Sequence, residues 1–227
     1  MGRGNTAMIL NPFIERSCYL KHTLSLGIAA VLLAGALSCG PKVMVPPKID
    51  LKQHEVFGII EFESSNEGEL GPLATRKFTE AARRDQGMVR IVELGSEAEV
   101  LTEVGRDRLD QSTFKALGQQ RDVSTIITGE LVISDVKPDI TITPGLGYLS
   151  FAAEVNATLA AQMVETATGA SIWSGSANTT KRVGQVSLFG GKNFAFDAED
   201  PEKAYGKLVD DLVEKVTKDF RVTWERR

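Results

Sequence analysis

From Phe151 to Met163 every odd position is apolar: Phe151, Ala153, Val155, Ala157, Leu159, Ala161 and Met163. Glu154, Asn156, Thr158 and Gln162 fall between them. Period two held over this length predicts a long strand with one face buried. The run Glu165-Thr-Ala-Thr-Gly169 predicts a turn, with a glycine for positive φ. Residues 171–176 then read as the returning strand, anchored by Ile172 and Trp173. Just upstream, residues 125–133 form a β-branched run suited to a buried central strand.

Before this hairpin, strand and helix patterns alternate. Residues 55–63 are apolar on both faces at their centre, as in an interior strand. Pro72 opens a helix whose buried stripe is Leu70, Leu73, Ala74, Phe78 and Ala81, closed by Gly87. Residues 88–94 predict a second strand. Ser96 with Glu99 forms a capping box ahead of a short helix that stops at Gly105. Residues 110–120 read as a helix with Phe114 and Leu117 inward, and Asp200-Pro201 starts a final helix carrying Tyr205, Leu208, Leu212, Val216 and Phe220. The order β-α-β-α-α-β-β-β-α implies parallel pairing first and a hairpin later. The expected fold is a single α/β domain: a mixed sheet of about five to six strands covered by helices, with one or two β-hairpin extensions.

The extensions follow from a change of phase. After Ile133 the odd positions are Asp135, Lys137, Asp139, Thr141 and Thr143, and the even ones include Val136, Ile140 and Ile142. Pro144-Gly-Leu-Gly147 turns the chain, and Leu149, Phe151, Ala153 and Val155 form the apolar side of the return. A second candidate, residues 183–196, carries Val186, Leu188, Phe194 and Phe196 around Gly190-Gly191. Arms of about 9–11 alternating residues suit a membrane strand, but Pro138 favours an edge strand lying on the domain, and the second return arm is short. Ile140, Ile142, Leu149, Phe151, Val186, Leu188, Phe194 and Phe196 are the expected membrane or oligomer contacts.

The start of the chain is an address. Arg16, Lys21 and His22 precede an apolar stretch over residues 24–37, placed like a secretory segment and short for a spanning helix. It ends Ala36-Leu37-Ser38-Cys39-Gly40, which resembles the lipobox of bacterial lipoproteins, with Ala36 where leucine is usual. That resemblance implies cleavage before Cys39, lipidation of Cys39 and, with glycine next, the outer membrane. Residues 1–38 are then a signal peptide, 39–54 the lipidated cysteine and a proline- and lysine-bearing tether, and 55–227 the periplasmic domain.

Composition narrows the chemistry. The net charge is −4, and with Arg3, Glu15, Arg16 and Lys21 removed the mature chain is more acidic, a poor match for nucleic acid. With Cys18 in the leader and Cys39 lipidated, the domain keeps no free thiol, and His54 is its one histidine. Cys–His and His-cluster chemistry are therefore excluded. There is no phosphate-binding or nucleophile-elbow motif. Asp135 and Asp139 flank Lys137 with the spacing to share a cation, but read more simply as a solvated loop charge cluster. Glu61 and Glu63 end the first strand, where a site can sit, but lack a second constellation member for catalysis. The chain reads as a non-enzyme without cofactor or metal. A glycosidase needing two carboxylates stays open as an alternative.

Ile127-Thr-Gly-Glu-Leu131, the long strand after it, and Val164-Glu-Thr-Ala-Thr-Gly-Ala-Ser-Ile-Trp-Ser174 resemble the curli assembly/transport lipoprotein family (CsgG-like). Activators of penicillin-binding proteins and domains like the amino-terminal part of TolB share such motifs. The resemblance implies an α/β periplasmic domain on the outer membrane that works through other envelope proteins, as a ring in the curli case. The loop over residues 64–70 lacks the aromatic constriction of the curli channel. The expected role is therefore envelope assembly or export through protein contacts, with a monomeric regulator such as a penicillin-binding-protein activator as the alternative.

Overall fold

The structure, a computed structural model, describes residues 41–54, 56–139, 151–189 and 193–226. In chain order the elements are β1 (Lys42–Val45), β2 (Val56–Ile60), β3 (Glu63–Ser64), α1 (Leu70–Arg84), β4 (Arg90–Gly95), α2 (Glu97–Val104), α3 (Gln111–Arg121), β5 (Thr125–Asp139), β6 (Phe151–Glu165), β7 (Ser171–Phe189), β8 (Asn193–Ala195), α4 (Pro201–Val216) and β9 (Thr223–Arg226). The chain divides into a main unit, residues 46–223, and a small unit containing residues 41–45 and 224–226. In the small unit β1 and β9 form a two-stranded sheet.

The main unit is an α/β domain on a seven-stranded mixed sheet in the order β4-β2-β5-β6-β7-β8, with β3 beside β5. β2 pairs in parallel with β4 and β5, and β5 through β8 are antiparallel. Among the described residues the sheet does not close into a barrel. Two short strands, β3 and β8, raise the count above the expected five to six. The expected first strand splits because β2 ends at Ile60; Phe62 then donates its backbone N–H to Thr75 Oγ1 at 2.8 Å. α1 starts at Leu70, two residues before Pro72, which sits in the first turn where no intrahelical donor is needed.

Each face of the sheet has its own core. On one face α1 and α4 set Leu73, Phe78, Tyr205, Leu208 and Leu212 against Phe57, Leu131, Leu159 and Met163. On the other, Val100 of α2 with Phe114 and Leu117 of α3 cover Ile60, Leu94, Ile126 and Val164. Each such side chain, fully buried, contributes about 1.5–3 kcal/mol. The Ser96–Glu99 capping box is present in both halves, and Gly105 closes α2 at φ +64°. Asp200 caps α4 by accepting from the Lys203 N–H. Phe220 lies beyond α4, in a 3₁₀ turn over Thr217–Phe220, and packs 4.5 Å from Trp173.

The structure departs from the sequence reading along the returning strand. The returning strand does not stop at Ser176 but continues as β7 to Phe189. Its inward positions are Gly175, Ala177, Thr179 and Lys181, too small or polar to show as alternation. Close approach is the reason at Gly175, where a Cβ would stand 3.3 Å from the Val216 carbonyl. Ile172, expected as an anchor, is skipped by the β6–β7 register and is 38% exposed, while Trp173 is buried. Within the stretch 39–54, the structure gives residues near its end a place on the domain. Leu51 is 1% exposed, and a 3₁₀ turn over Leu51–His54 packs on the main core.

Candidate functional site

The phase change after Ile133 is a β-bulge. Ile133 pairs with Ala157 and Asp135 with Asn156, so Ser134 is the extra residue. Its hydroxyl donates to Asn156 Oδ1 at 3.0 Å, and Asn178 Nδ2 donates to the same oxygen at 2.8 Å. Past the bulge Val136 turns toward the core side and Asp135 and Lys137 outward, joined at 3.4 Å. Pro138 pairs with Ala153 where β5 has run beyond β2 and β3, an edge position that tolerates proline.

The apolar sides of the extended strands are covered by the chain itself. Ala153, Val155, Val183 and Val186 are buried with Phe196, Ala198 and Tyr205. Tyr205 donates its hydroxyl to the Gln185 carbonyl at 2.7 Å, and burial raises its pKa. The Phe196 ring meets Tyr205 edge-on at 5.5 Å, and its backbone is paired to the Glu67 carbonyl and the Glu69 N–H. Of the expected contact residues, Val186 and Phe196 are thus core, and Phe194 packs partly buried against it. Phe151 and Leu188 lie in β6 and β7. Ile140, Ile142, Leu149 and Cys39 lie outside the described residues.

The opposite side of β5–β6–β7 is different. α2 and α3 reach only Ile126 and Val164. Beyond them, among the described residues, three cross-strand rows lie uncovered: Thr128–Gln162–Ser174, Glu130–Ala160–Ser176 and Val132–Thr158–Asn178. The small side chains of the middle row leave a shallow groove of about 380 Å³. Gly129 brings β5 close to β6, where a Cβ would be 2.8 Å from the Ala160 carbonyl. Sequence alternation marks only Thr158 and Gln162 of these positions as polar-face residues. The expectation of a buried strand over residues 125–133 is corrected at Glu130 and Val132, which are exposed because, among the described residues, no helix lies over them.

Glu61 and Glu63 meet Glu97 and Glu99 near the ends of β2 and β4. Partial burial, then Glu99 and Glu69, raises the Glu61 pKa; burial, then Glu63, raises that of Glu97. Hydrogen bonds from Ser96 hold Glu99 below its usual value. Among the described residues no three acids or histidines are grouped to hold a metal ion. His54 Nδ1 lies 3.2 Å from Thr125 Oγ1, an internal contact. The uncovered groove offers hydroxyls, amides and one carboxylate, the equipment of a contact surface.

Sequence reasoning missed one structural centre, Gln86, which is 2% exposed. Its Oε1 accepts from the Leu51 N–H, and its Nε2 donates to the carbonyls of Ile49 and Phe220 at 2.8 and 2.7 Å. Lys48 pairs with Asp219 at 3.0 Å and holds that carboxyl below its usual pKa. A lone glutamine in the sequence gives no signal for this role.

Neither a protein-family model nor a curated protein sequence matches the chain. Solved structures similar in fold include a PelC dodecamer from Paraburkholderia phytofirmans, at 12% identity and TM-score 0.43, covering 80% of this chain and 97% of that one. Lipoprotein GNA1162 from Neisseria meningitidis matches at 12% identity and TM-score 0.35, over 56% of this chain and 83% of that one. The LpoB C-terminal domain from Salmonella enterica matches at 14% identity and TM-score 0.35, over 60% and 86%. These scores assign no role, which rests on the chain's own residues.

Proposed function

We propose that the chain is a lipid-anchored outer-membrane protein that acts through protein contacts in envelope assembly or export, and not by catalysis. The anchor is Cys39, following the apolar segment over residues 24–37. The observation that carries the contact role is the uncovered face of β5–β6–β7, with Ala160 and Ser176 at its centre. Among the described residues no helix is long and apolar enough to cross a membrane; in this reading the attachment is the lipid on Cys39. The curli-type resemblance gives the finer form, an export or assembly component working as an oligomer. A monomeric regulator, such as a penicillin-binding-protein activator, is the second reading.

One experiment separates these. A photo-crosslinking residue placed at Ala160 or Ser176 in cells should yield a discrete adduct. An adduct of two copies of this chain supports the oligomer, and one with a different envelope protein supports the regulator. No adduct at these two sites or at Gln162 overturns the contact face. Cys39→Ala should abolish palmitate labelling and membrane retention; retention of a processed protein overturns the anchor.

A further inference from the structure

We infer that the β1–β9 ribbon is a second membrane contact, resting on the anionic headgroups of the bilayer that holds Cys39. The inference depends on the lipid-anchor reading. Each strand exposes one apolar and one basic side chain at alternate positions, which share a face. On β1 these are Lys42 and Met44, and on β9 Trp224 and Arg226. Met44 is 55% exposed and Trp224 63%. Val43 and Val45, the other side of β1, are half-buried.

A tryptophan ring has an apolar body and a polar N–H, and it favours the boundary between headgroups and acyl chains. Lysine and arginine beside it are drawn to anionic lipid within a short screening distance. Glu225 is the ribbon's acid, and alternation turns it away from Trp224 and Arg226. Location selects lipid over other occupants. Lys42 is the third residue after Cys39, so the ribbon begins within about 10 Å of the acylated residue at about 3.3 Å per residue. Stable anchoring of a lipidated protein is strengthened by a basic patch acting with the acyl chains.

The test uses full-length lipidated protein reconstituted into vesicles of phosphatidylethanolamine and phosphatidylglycerol, doped with a lipid brominated near its carbonyl. The chain has two tryptophans, so Trp224→Phe leaves Trp173 alone and the difference reports Trp224. The expected result is quenching of Trp224 by the bromines and loss of its quenching by aqueous iodide. Lys42→Gln with Arg226→Gln, or pure phosphatidylcholine vesicles, should each abolish most of the bromine quenching. A Trp224 untouched by bromine overturns the ribbon contact, whether iodide reaches it or a protein shields it. Equal quenching in all vesicles and variants overturns the role of charge. Palmitate labelling on the same preparation keeps the two readings apart. Labelled protein with unquenched Trp224 counts against the ribbon alone, and unlabelled protein counts against the anchor.

Discussion

Gln86 and Leu51 stand 35 residues apart in sequence and are joined by a 3.0 Å hydrogen bond from the Leu51 backbone N–H to the Gln86 side-chain oxygen. The same amide holds Ile49 and Phe220, so one buried side chain ties the entering segment to the exit of the last helix. Gln86→Leu removes three backbone partners at once. Leaving a buried donor or acceptor unpaired costs about 1–3 kcal/mol, and urea melts should show a loss of at least that size. Trypsin cleavage at Lys48 and Lys52 should accelerate before the domain unfolds. A variant with unchanged melting and unchanged cleavage would show that the segment is held without Gln86, by Leu51 packing and the Lys48 and Ile49 contacts to Asp219.

Gly71 is fixed by close approach. A Cβ there would lie 2.3 Å from the Phe62 carbonyl oxygen, a backbone atom that cannot swing aside. Gly71→Ala should destabilise by about 1–3 kcal/mol, the usual range for overpacking. Gly105→Ala meets no atom within 4 Å and carries only the strain of φ +64°. Thermal melts of the two variants should therefore differ, with the Gly71 variant lower.

The carboxylates give opposite signs with pH. Glu202, Asp211 and Asp219 are held below their usual pKa values by Lys77, by Lys215 and by Lys48 respectively. A depressed folded-state pKa stabilises above the unfolded value, and that contribution is lost as pH falls through the folded one. Glu61 and Glu97 are raised, so their ionisation opposes folding near neutrality and protonation relieves it. Stability should rise slightly as pH drops toward the ordinary carboxylate range and fall below it. Glu97→Gln should remove part of the rise without touching the acid limb; a variant with the parent's whole profile would show that Glu97 is not strained.

Much of the fold was legible because its signals are local. Odd apolar positions from Ala153 to Met163 are all buried, and the Ser96–Glu99 box and the Asp200 cap act within one turn. The later half of β7 was hidden because its inward residues are shaped by α4. Thr179 bonds to Asp211, and Gly175 makes room for Trp173 and Val216. Those demands come from an element some 30 residues further along the chain. The bulge at Ser134 was visible as a change of phase, but its hydrogen-bond partner, the Asn156 side chain, becomes a neighbour only after pairing. The uncovered groove was half legible: alternation identifies the polar side, while helix placement decides whether it stays open.

Phe196 decides between a membrane and a core role for the second hairpin. It is fully buried, meets Tyr205 edge-on, and its carbonyl lies 2.2 Å from where a Cβ on Gly68 would stand. Its backbone N–H donates to the Glu67 carbonyl, and its own carbonyl accepts from Glu69, so the segment is fastened on both sides. Truncating a buried phenylalanine costs about 3–5 kcal/mol, and Phe196→Ala should lose that much in a urea melt. A single Phe196→Cys, with the lipidated Cys39 chemically distinct, should resist both aqueous and lipid-phase thiol reagents in the folded protein. Matching cysteines at Ile140 and Ile142 probe the other hairpin independently. Rapid labelling at Phe196 from the lipid phase, with stability unchanged in Phe196→Ala, would place this side chain in the bilayer and refute its assignment to the core.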